Sequence, residues 1–424
     1  MVLQAPGQTR TEETRLLDCM RKIGKGLIAS GVSAGVVENT LTEIAMTYGM
    51  ECEIVALPNV VLIQLGHSSG QIEFAVQRLT SLQLDQVSEL AEIIDRVRHK
   101  KIPLEEGSHE LDRILAMQPR FKPAVVILGY FLSCIGLTML FRPDFRSLLV
   151  TGTMGILVGL MLWGFQKQPR FNILLPVIIS MVVSTLIFAI TRLGFIYGPA
   201  NLLVAPLVTF LPGSLLTTGM IELASMHILS GSSRLIYGGA MLALLFVGIA
   251  IGLNLANLPS YQVYAYKGVY FYWWAPLLGT LLFGFGTYLR LSGANRDLFW
   301  MLVVLYVAML AQAFGEQYFN SYIGAFLGAM MMTFSSEIIA RSPRRTPAVA
   351  SQMLAFWFLV PGSRGLLSVT SLLTEDLQNA AIGLGQMAML ILAITLGVLL
   401  GTLLISPQKF VPVAAGNMRS LKKE

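Results

Sequence analysis

The chain has 424 residues, of which 54% are hydrophobic and 13% are charged. Soluble globular proteins carry about 25% charged residues and less than half apolar residues, so this composition excludes an ordinary soluble fold and indicates a membrane protein. The charge is unevenly placed: residues 1–122 hold 13 basic and 16 acidic residues, and the rest holds 17 basic and 8 acidic residues. The basic residues therefore belong to membrane loops, and we expect no nucleic-acid partner.

Cysteine and histidine patterns indicate no cofactor and no metal site. Cys19, Cys52 and Cys134 are widely spaced and odd in number, and they form neither a CxxC motif nor a Cys/His cluster. Such a set supports neither a disulfide framework nor zinc. The first twenty residues are polar and lack the apolar core of a signal peptide, so we expect the segment that follows to stay in the cytoplasm.

Residues 1–122 predict a small cytoplasmic α+β domain. Apolar residues recur at helical spacing over 16–28 and 37–45, on the two sides of the sequence SGVSAG. Three β-rich runs follow, CEIVAL, NVVLIQL and QIEFAVQRL, with the Gly/Ser/Pro punctuation of an antiparallel sheet. Two further helices are predicted near 87–97 and 104–117. His67 and Ser68 lie in a GHSSG turn without an oriented base, so we predict no enzyme site here.

The rest of the chain predicts about ten membrane-spanning helices, each of which needs about 20 apolar residues. They lie at 123–141, 147–165, 172–191, 199–211, 233–256, 272–289, 298–314, 322–339, 347–360 and 381–405. Short loops on the side of the membrane that holds the N-terminus carry 12 Lys and Arg residues, and those on the opposite side carry 5. Arg234 and Arg290 are counted as loop residues. The positive-inside rule then predicts a multi-pass protein of the cell inner (plasma) membrane with both termini cytoplasmic.

Two halves of the membrane block resemble each other. Each has a proline-led segment that ends in a Pro-Gly break, at Pro212-Gly213 and, 149 residues later, at Pro361-Gly362. Five spans separate equivalent positions, so we expect two inverted five-helix repeats, 123–256 and 272–405. An extracytoplasmic connection (257–271) joins them, and a basic cytoplasmic tail (406–424) follows.

The breaks predict a substrate site. The segment from Pro199 to Pro212 spans about 20 Å as a helix, which is shorter than the roughly 30 Å hydrocarbon core. Each break would then expose a helix N-terminus, capped by serine, that attracts carboxylates. The predicted substrate-binding residues are Pro212, Gly213, Ser214, Pro361, Gly362, Ser363 and Arg364. The alternative is that each Pro-Gly pair ends a short tilted helix at the lipid interface.

Acidic residues in or near predicted spans are candidates for proton or ion coupling, because ionisable groups are costly in lipid. Glu222 follows the first break by ten residues and is the strongest candidate. Glu316 ends the seventh span and is alternatively a loop residue. Glu337 ends the eighth span and is alternatively an ion-pair partner of the cytoplasmic arginines that follow it.

The order of these features resembles the threonine/serine exporter family. The likeness is carried by IASGVSAGVVENTLTEIAMTYGMECEIVALPNVVLIQLG, by the two PGS breaks and by SSEIIARSPRRTPA. Glu38 matches the family pattern, whereas Ser33 and Val36 stand where the family usually has an acidic residue and an arginine. The resemblance implies a fused ten-helix form and proton-driven export of small hydroxy amino acids, and some relatives are implicated in dicarboxylate export.

Three functions follow from this sequence. The leading one is a proton-coupled exporter of threonine and serine that works by alternating access, with the lipid bilayer, a small solute and protons as partners. A dicarboxylate exporter is an alternative that needs a second cationic contact, for which Arg364 or Arg234 is available. From another class, the chain could be a signalling or hydrolytic enzyme tethered to the membrane. Homo-oligomerisation is left open.

Overall fold

The computed structural model describes residues 6–66, 72–77, 81–141, 144–166, 168–171, 173–259, 262–263, 273–342, 346–359, 366–368, 370 and 377–405. The chain divides into two compact units. The first comprises Met1–Pro119, Thr218–Arg234 and Thr402–Glu424, and the second comprises Arg120–Thr217 and Leu235–Gly401. His67 and Ser68 of the predicted turn, most of the predicted connection and the basic tail lie outside the described residues.

Four helices and three strands open the first unit. They are α1 Pro6–Ala29, α2 Ala34–Thr47, β1 Cys52–Leu57, β2 Val60–Leu65, β3 Ile72–Val76, α3 Leu84–Arg98 and α4 Leu104–Leu115. The strands pair antiparallel in the order β1-β2-β3, with Val55 opposite Leu62 and Leu62 opposite Phe74. The predicted antiparallel sheet is therefore confirmed.

One face of the sheet builds the core of the first unit. Side chains alternate along β2, so that Val61, Ile63 and Leu65 are buried while their neighbours are half-buried. They pack in one cluster with apolar residues of the helices, including Met20 of α1 and Leu41 of α2. Burying each such side chain contributes about 1.5–3 kcal/mol relative to leaving it exposed, so this cluster stabilises the unit.

A polar network joins α1 to α4 at the edge of this core. Lys22 Nζ donates to Ser108 Oγ and to Asp112 Oδ2, both at 2.6 Å, and Ser108 Oγ donates to Asp18 Oδ2 at 2.6 Å. Desolvation alone would raise the pKa of the Asp18 carboxyl, but hydrogen bonds from Ser108, Arg21 and Lys22 outweigh it and lower the pKa to about 2. The network therefore holds Asp18 in its charged form.

Apolar helices make up most of the remaining chain. They are α5 Pro123–Phe141, α6 Phe145–Phe165, α7 Leu175–Arg192, α8 Pro199–Leu207, α9 Gly213–Ala224, α10 Ile228–Ala256, α11 Ala275–Arg290, α12 Leu298–Tyr318, α13 Ser321–Ala340, α14 Ala348–Phe358 and α15 Leu377–Ile405. The segment Thr218–Arg234, which holds the end of α9 and the start of α10, belongs to the first unit.

Seven of these helices are long and apolar enough to cross a membrane, or eight if α8 and α9 are taken as one bent span. This finding, made on the described residues, confirms the polytopic helical class. Two predicted spans are shorter than expected: α11 has 16 residues and α14 has 11. At 1.5 Å per residue they reach about 24 and 17 Å, below the roughly 30 Å core. The number of ten spans thus stays a prediction.

Glycines bring α5 and α11 into close contact in the second unit. A Cβ atom on Gly129 would lie 2.7 Å from the Gly286 carbonyl oxygen, and one on Gly136 would lie 2.6 Å from the Gly279 carbonyl oxygen. Rising residue numbers on α5 meet falling numbers on α11, so the two helices run antiparallel. Small residues allow such backbone approach between membrane helices, where dispersion contacts drive association.

Candidate functional site

A sharp break interrupts the apolar segment that begins at Pro199. Helix α8 continues through a 3-10 turn, Val208–Phe210, and the axis then bends by 65° before α9 begins at Gly213. Pro212 has no backbone N–H to donate to the preceding turn, which explains why the helix stops there. A break therefore lies where the sequence predicts one.

Helix α8 is enclosed by other helices of the second unit. Every residue of α8 except Asn201 is buried, and the helix packs against α5, α6 and α7. A helix that is apolar and buried on all sides belongs to the interior of a bundle rather than to an amphipathic interface. This burial argues against the alternative in which the first Pro-Gly pair only ends a helix at the lipid surface.

The start of α9 differs from the predicted N-cap. Pro212 precedes the helix, and its carbonyl accepts from the Leu216 nitrogen at 2.9 Å, so Gly213 is the first helical residue and Ser214 the second. Pro212 and Gly213 are buried, whereas the Ser214 side chain is exposed. The prediction that Ser214 caps α9 is therefore wrong, because the proline carbonyl already occupies the capping position.

Glu222 lies in the first unit, buried against the N-terminus of α2. Its Oε1 accepts from the Ala34 backbone nitrogen at 2.8 Å, and its Oε2 lies 3.1 Å from Arg234 Nε. Arg234 also donates from Nη2 to the Val32 carbonyl at 3.0 Å. A carboxylate at a helix N-terminus is favoured by the free N–H groups and by the helix dipole. Glu222 and Arg234 are thus a buried ion pair that binds α2.

His227 and Glu38 form a second contact beside this pair. In the turn after α9, Met226 adopts the left-handed region (φ 65°), and the His227 nitrogen donates to the Glu222 carbonyl at 2.8 Å. This turn aims the imidazole at α2, where His227 Nε2 lies 2.9 Å from Glu38 Oε2. Glu38 Oε1 accepts from the Ala56 nitrogen at 2.8 Å. Glu38 therefore connects β1, α2 and the α9–α10 turn.

The other two predicted coupling residues have different surroundings. Glu316 lies on α12, is exposed, and accepts from Gln312 Nε2 at 2.8 Å. Glu337 is half-buried near the end of α13, four residues before Arg341. Both carboxylates belong to the second unit, whereas Glu222 belongs to the first.

Arg290 is a functional candidate that the sequence interpretation missed. It is the last residue of α11 and is only 5% exposed, although the charge count treats it as a loop residue. Its Nη1 donates to the hydroxyl of Thr209, which lies in the 3-10 turn just before the break. The available signal was that α11 remains apolar up to Arg290, so that the arginine could lie inside the bundle.

The second break cannot be placed in the same way. Pro361, Gly362, Ser363 and Arg364 lie outside the described residues, as do Arg344 and Arg345. The predicted roles of these residues stay predictions. Arg234, the other cation considered for a dicarboxylate, is occupied by Glu222 and by the Val32 carbonyl.

Comparison with known families identifies the kind of protein. Residues 18–256 match a family model described as "Putative threonine/serine exporter", and residues 277–404 match one described as "Threonine/Serine exporter, ThrE". The chain belongs to the threonine/serine exporter family. The two matches cover the membrane helices and nearly all of the N-terminal α+β region, so the family resemblance predicted from sequence is confirmed.

Individual relatives have low sequence identity to this chain. The chain is 25% identical over 236 residues to pheromone-regulated membrane protein 10 of Debaryomyces hansenii, which is 54% of this chain and 23% of the relative. It is 25% identical over 241 residues to the uncharacterized protein C7D4.12c of Schizosaccharomyces pombe, covering 54% of this chain and 32% of the relative. The chain thus spans about a quarter to a third of the length of these relatives. No solved structure matches the chain.

The family match and the helices together indicate a multi-pass membrane protein of an exporter family. Within the part of the chain that the structure describes, no group of three or more His, Cys, Asp or Glu residues could hold a metal ion. The candidate sites instead contain buried charges. Arg234 is paired with a carboxylate, and Arg290 has no carboxylate partner among the described residues.

Proposed function

We propose that the chain is a secondary transporter that exports threonine, serine and similar small amino acids. The observation that carries the proposal is a broken, buried apolar helix within a chain that matches two exporter family models. Discontinuous helices in transporters present backbone groups to a polar solute inside the bilayer. Pro212 and Gly213 would expose the first turn of α9 to the substrate in this way.

An inverted repeat is supported by the order and packing of the helices. Corresponding helices of the two halves start 146 to 153 residues apart in the sequence. The pairs are α5 with α11, α6 with α12, α7 with α13, α8 with α14, and α10 with α15. Helix α8 packs on α5, α6 and α7, and α14 packs on α11, α12 and α13.

The direction of the helices favours inversion over simple duplication. Helices α5 and α11 would be equivalent members of the two halves, yet the glycine contacts make them antiparallel. Equivalent helices run in opposite directions when the halves are related by an axis in the membrane plane. We propose that these halves rock against each other and alternate access to the break.

Proton coupling is proposed to involve Glu222, with Glu316 and Glu337 as further candidates. Protonation of Glu222 would remove its attraction to Arg234 and weaken the contact with the N-terminus of α2. That contact joins the segment after the break to the N-terminal region, so a proton bound there could bias the conformation of α9. Both termini are proposed to lie in the cytoplasm, on the basis of the distribution of Lys and Arg.

A flux assay tests the proposal. The purified protein is reconstituted into liposomes with an imposed pH gradient, and uptake of labelled L-threonine, L-serine and succinate is measured with and without an uncoupler. We expect saturable threonine and serine flux that the uncoupler abolishes. Flux of succinate alone would instead favour the dicarboxylate exporter, and absence of all three fluxes would contradict both.

A variant pair connects the flux to the break. The double change Pro212→Ala with Gly213→Ala allows the helix to continue, so we expect at least a tenfold loss of threonine flux. Gly239→Ala is the matched control, because a Cβ atom at this helical glycine meets nothing within 4 Å. Equal flux in the two variants would argue against the break as the transport site.

A further inference from the structure

Arg290 is a buried cation whose donors are mostly unused. Two of its three guanidinium nitrogens, Nε and Nη2, are buried without a hydrogen-bond partner among the described residues. The third, Nη1, donates to the Thr209 hydroxyl, which is a neutral acceptor. A charged group taken from water in this state loses hydration without replacing it.

Four helical segments converge on this guanidinium. The ring of Tyr130 on α5 lies 5.3 Å from it and the ring of Trp357 on α14 lies 5.0 Å from it, both within cation–π distance. Thr209 follows α8, and Arg290 itself ends α11. These segments are the first and fourth members of the two proposed halves. The guanidinium therefore lies where a solute site is expected in an inverted-repeat transporter.

The surroundings stabilise the charge only in part. A cation at the C-terminal end of α11 is favoured by the helix dipole, and the two rings attract it. Neither effect supplies an acceptor for Nε and Nη2. These two nitrogens are the pair that a carboxylate can engage with both oxygens, in the planar bidentate geometry that arginine favours.

We propose that Arg290 binds the carboxylate of the transported amino acid, with Thr209 holding the guanidinium beside the break. The inference rests on the proposed exporter function and names the substrate group that this site recognises. Among the described residues, the side chains that contact the Arg290 guanidinium through a hydrogen bond or a ring, namely Tyr130, Trp357 and Thr209, carry no second positive charge. The site thus suits one carboxylate of a small amino acid rather than a dicarboxylate.

A binding experiment on the purified protein in nanodiscs tests this role. Affinities for L-threonine and for L-threonine amide, which lacks the carboxylate, are measured for the wild type, Arg290→Gln and Arg290→Lys. We expect the wild type to prefer threonine over the amide by at least about tenfold, since hydrogen bonds to charged groups are among the strongest in proteins. In Arg290→Gln the preference disappears, and in Arg290→Lys it is reduced because lysine cannot bind bidentately.

Arg192→Gln is the matched control, since Arg192 also ends a helix, α7, but is exposed. We expect it to keep the wild-type preference. The preference compares two ligands on one protein, so it does not depend on how much of a variant is folded. A preference for threonine that persists in Arg290→Gln overturns the inference.

A second probe distinguishes failure of the exporter proposal from failure of the carboxylate site. If the wild type binds no amino acid, thermal melting is recorded with sodium acetate and with sodium chloride at equal ionic strength. Stabilisation by acetate in the wild type but not in Arg290→Gln supports a carboxylate site whatever the transported solute is. An acetate-minus-chloride shift that is equal in the two proteins, or absent in the wild type, overturns the site itself.

Discussion

Two arginines are buried among the described residues, and their surroundings are opposite. Arg234, in the first unit, contacts the Glu222 carboxylate and the Val32 carbonyl. Arg290, in the second unit, contacts a hydroxyl and two aromatic rings, and two of its nitrogens have no hydrogen-bond partner in the part of the chain that the structure describes. A paired buried charge fixes structure, whereas an unpaired one retains the capacity to bind a ligand. The comparison separates an arginine held by a carboxylate of the protein from one proposed to bind the carboxylate of a ligand.

The largest expected effect comes from breaking the paired arginine. Glu222→Gln leaves Arg234 buried beside a neutral amide, and removing one partner of a buried pair costs about 3–5 kcal/mol. Chemical unfolding of the detergent-solubilised protein measures this loss. Glu316→Gln is the control, because Glu316 is exposed and bonds only a glutamine among the contacts described. A loss for Glu222→Gln no larger than for the control would mean that the pair does not stabilise the first unit.

Replacing each buried arginine by methionine should affect the stability of the protein differently at the two positions. Arg234→Met leaves the Glu222 carboxylate buried without its cation and is expected to destabilise strongly. Arg290→Met removes a charge whose donors lack partners, so we expect unchanged stability or a gain of about 1–3 kcal/mol, together with loss of threonine flux. Thermal melting and flux on the same samples provide the measurement. Destabilisation by both changes would remove the distinction.

The environment of Arg290 depends on the close approach of α5 and α11. In Gly136→Ala the new Cβ would lie 2.6 Å from the Gly279 carbonyl oxygen, so the helices must separate. We expect a loss of about 1–3 kcal/mol, as for overpacked cores. Gly239→Ala is the control, since it adds the same atom in open space. Melting temperatures that do not differ between the two variants would show that the glycine contact is not required.

The smallest effect is expected for a paired charge that is exposed. Asp18 has the usual pKa of 3.8 when unfolded and about 2 when folded, so its contribution is present above pH 3.8 and is lost as the pH falls towards 2. Because the side chain is 38% exposed, solvent screening limits the contribution to about 1 kcal/mol. Asp18→Asn should therefore unfold more easily than the wild type at pH 6 but not at pH 2. A difference that is independent of pH would exclude the charge as its cause.

Local patterns predicted much of this molecule. The β-rich runs CEIVAL and NVVLIQL and the turn residues that separate them predicted β1, β2 and their antiparallel pairing, and the apolar runs predicted the long helices, because composition and spacing record local structure. The break at Pro212 was predicted because proline acts on its own neighbours. The predicted capping role of Ser214 was wrong, since Pro212 takes the N-cap position and α9 begins at Gly213, two residues earlier than predicted.

Contacts between distant residues could not be predicted in this way. Glu222 bonds Ala34 across 188 positions in sequence, and Arg290 bonds Thr209 across 81. A charge count treats Arg234 and Arg290 alike, as loop residues, because hydropathy does not record which groups a side chain contacts. The sequence by itself determined the membrane class, the sheet and the position of the first break. Only the tertiary structure decided which buried arginine has a carboxylate and which, among the described residues, has donors without a partner, because that depends on which helices pack together.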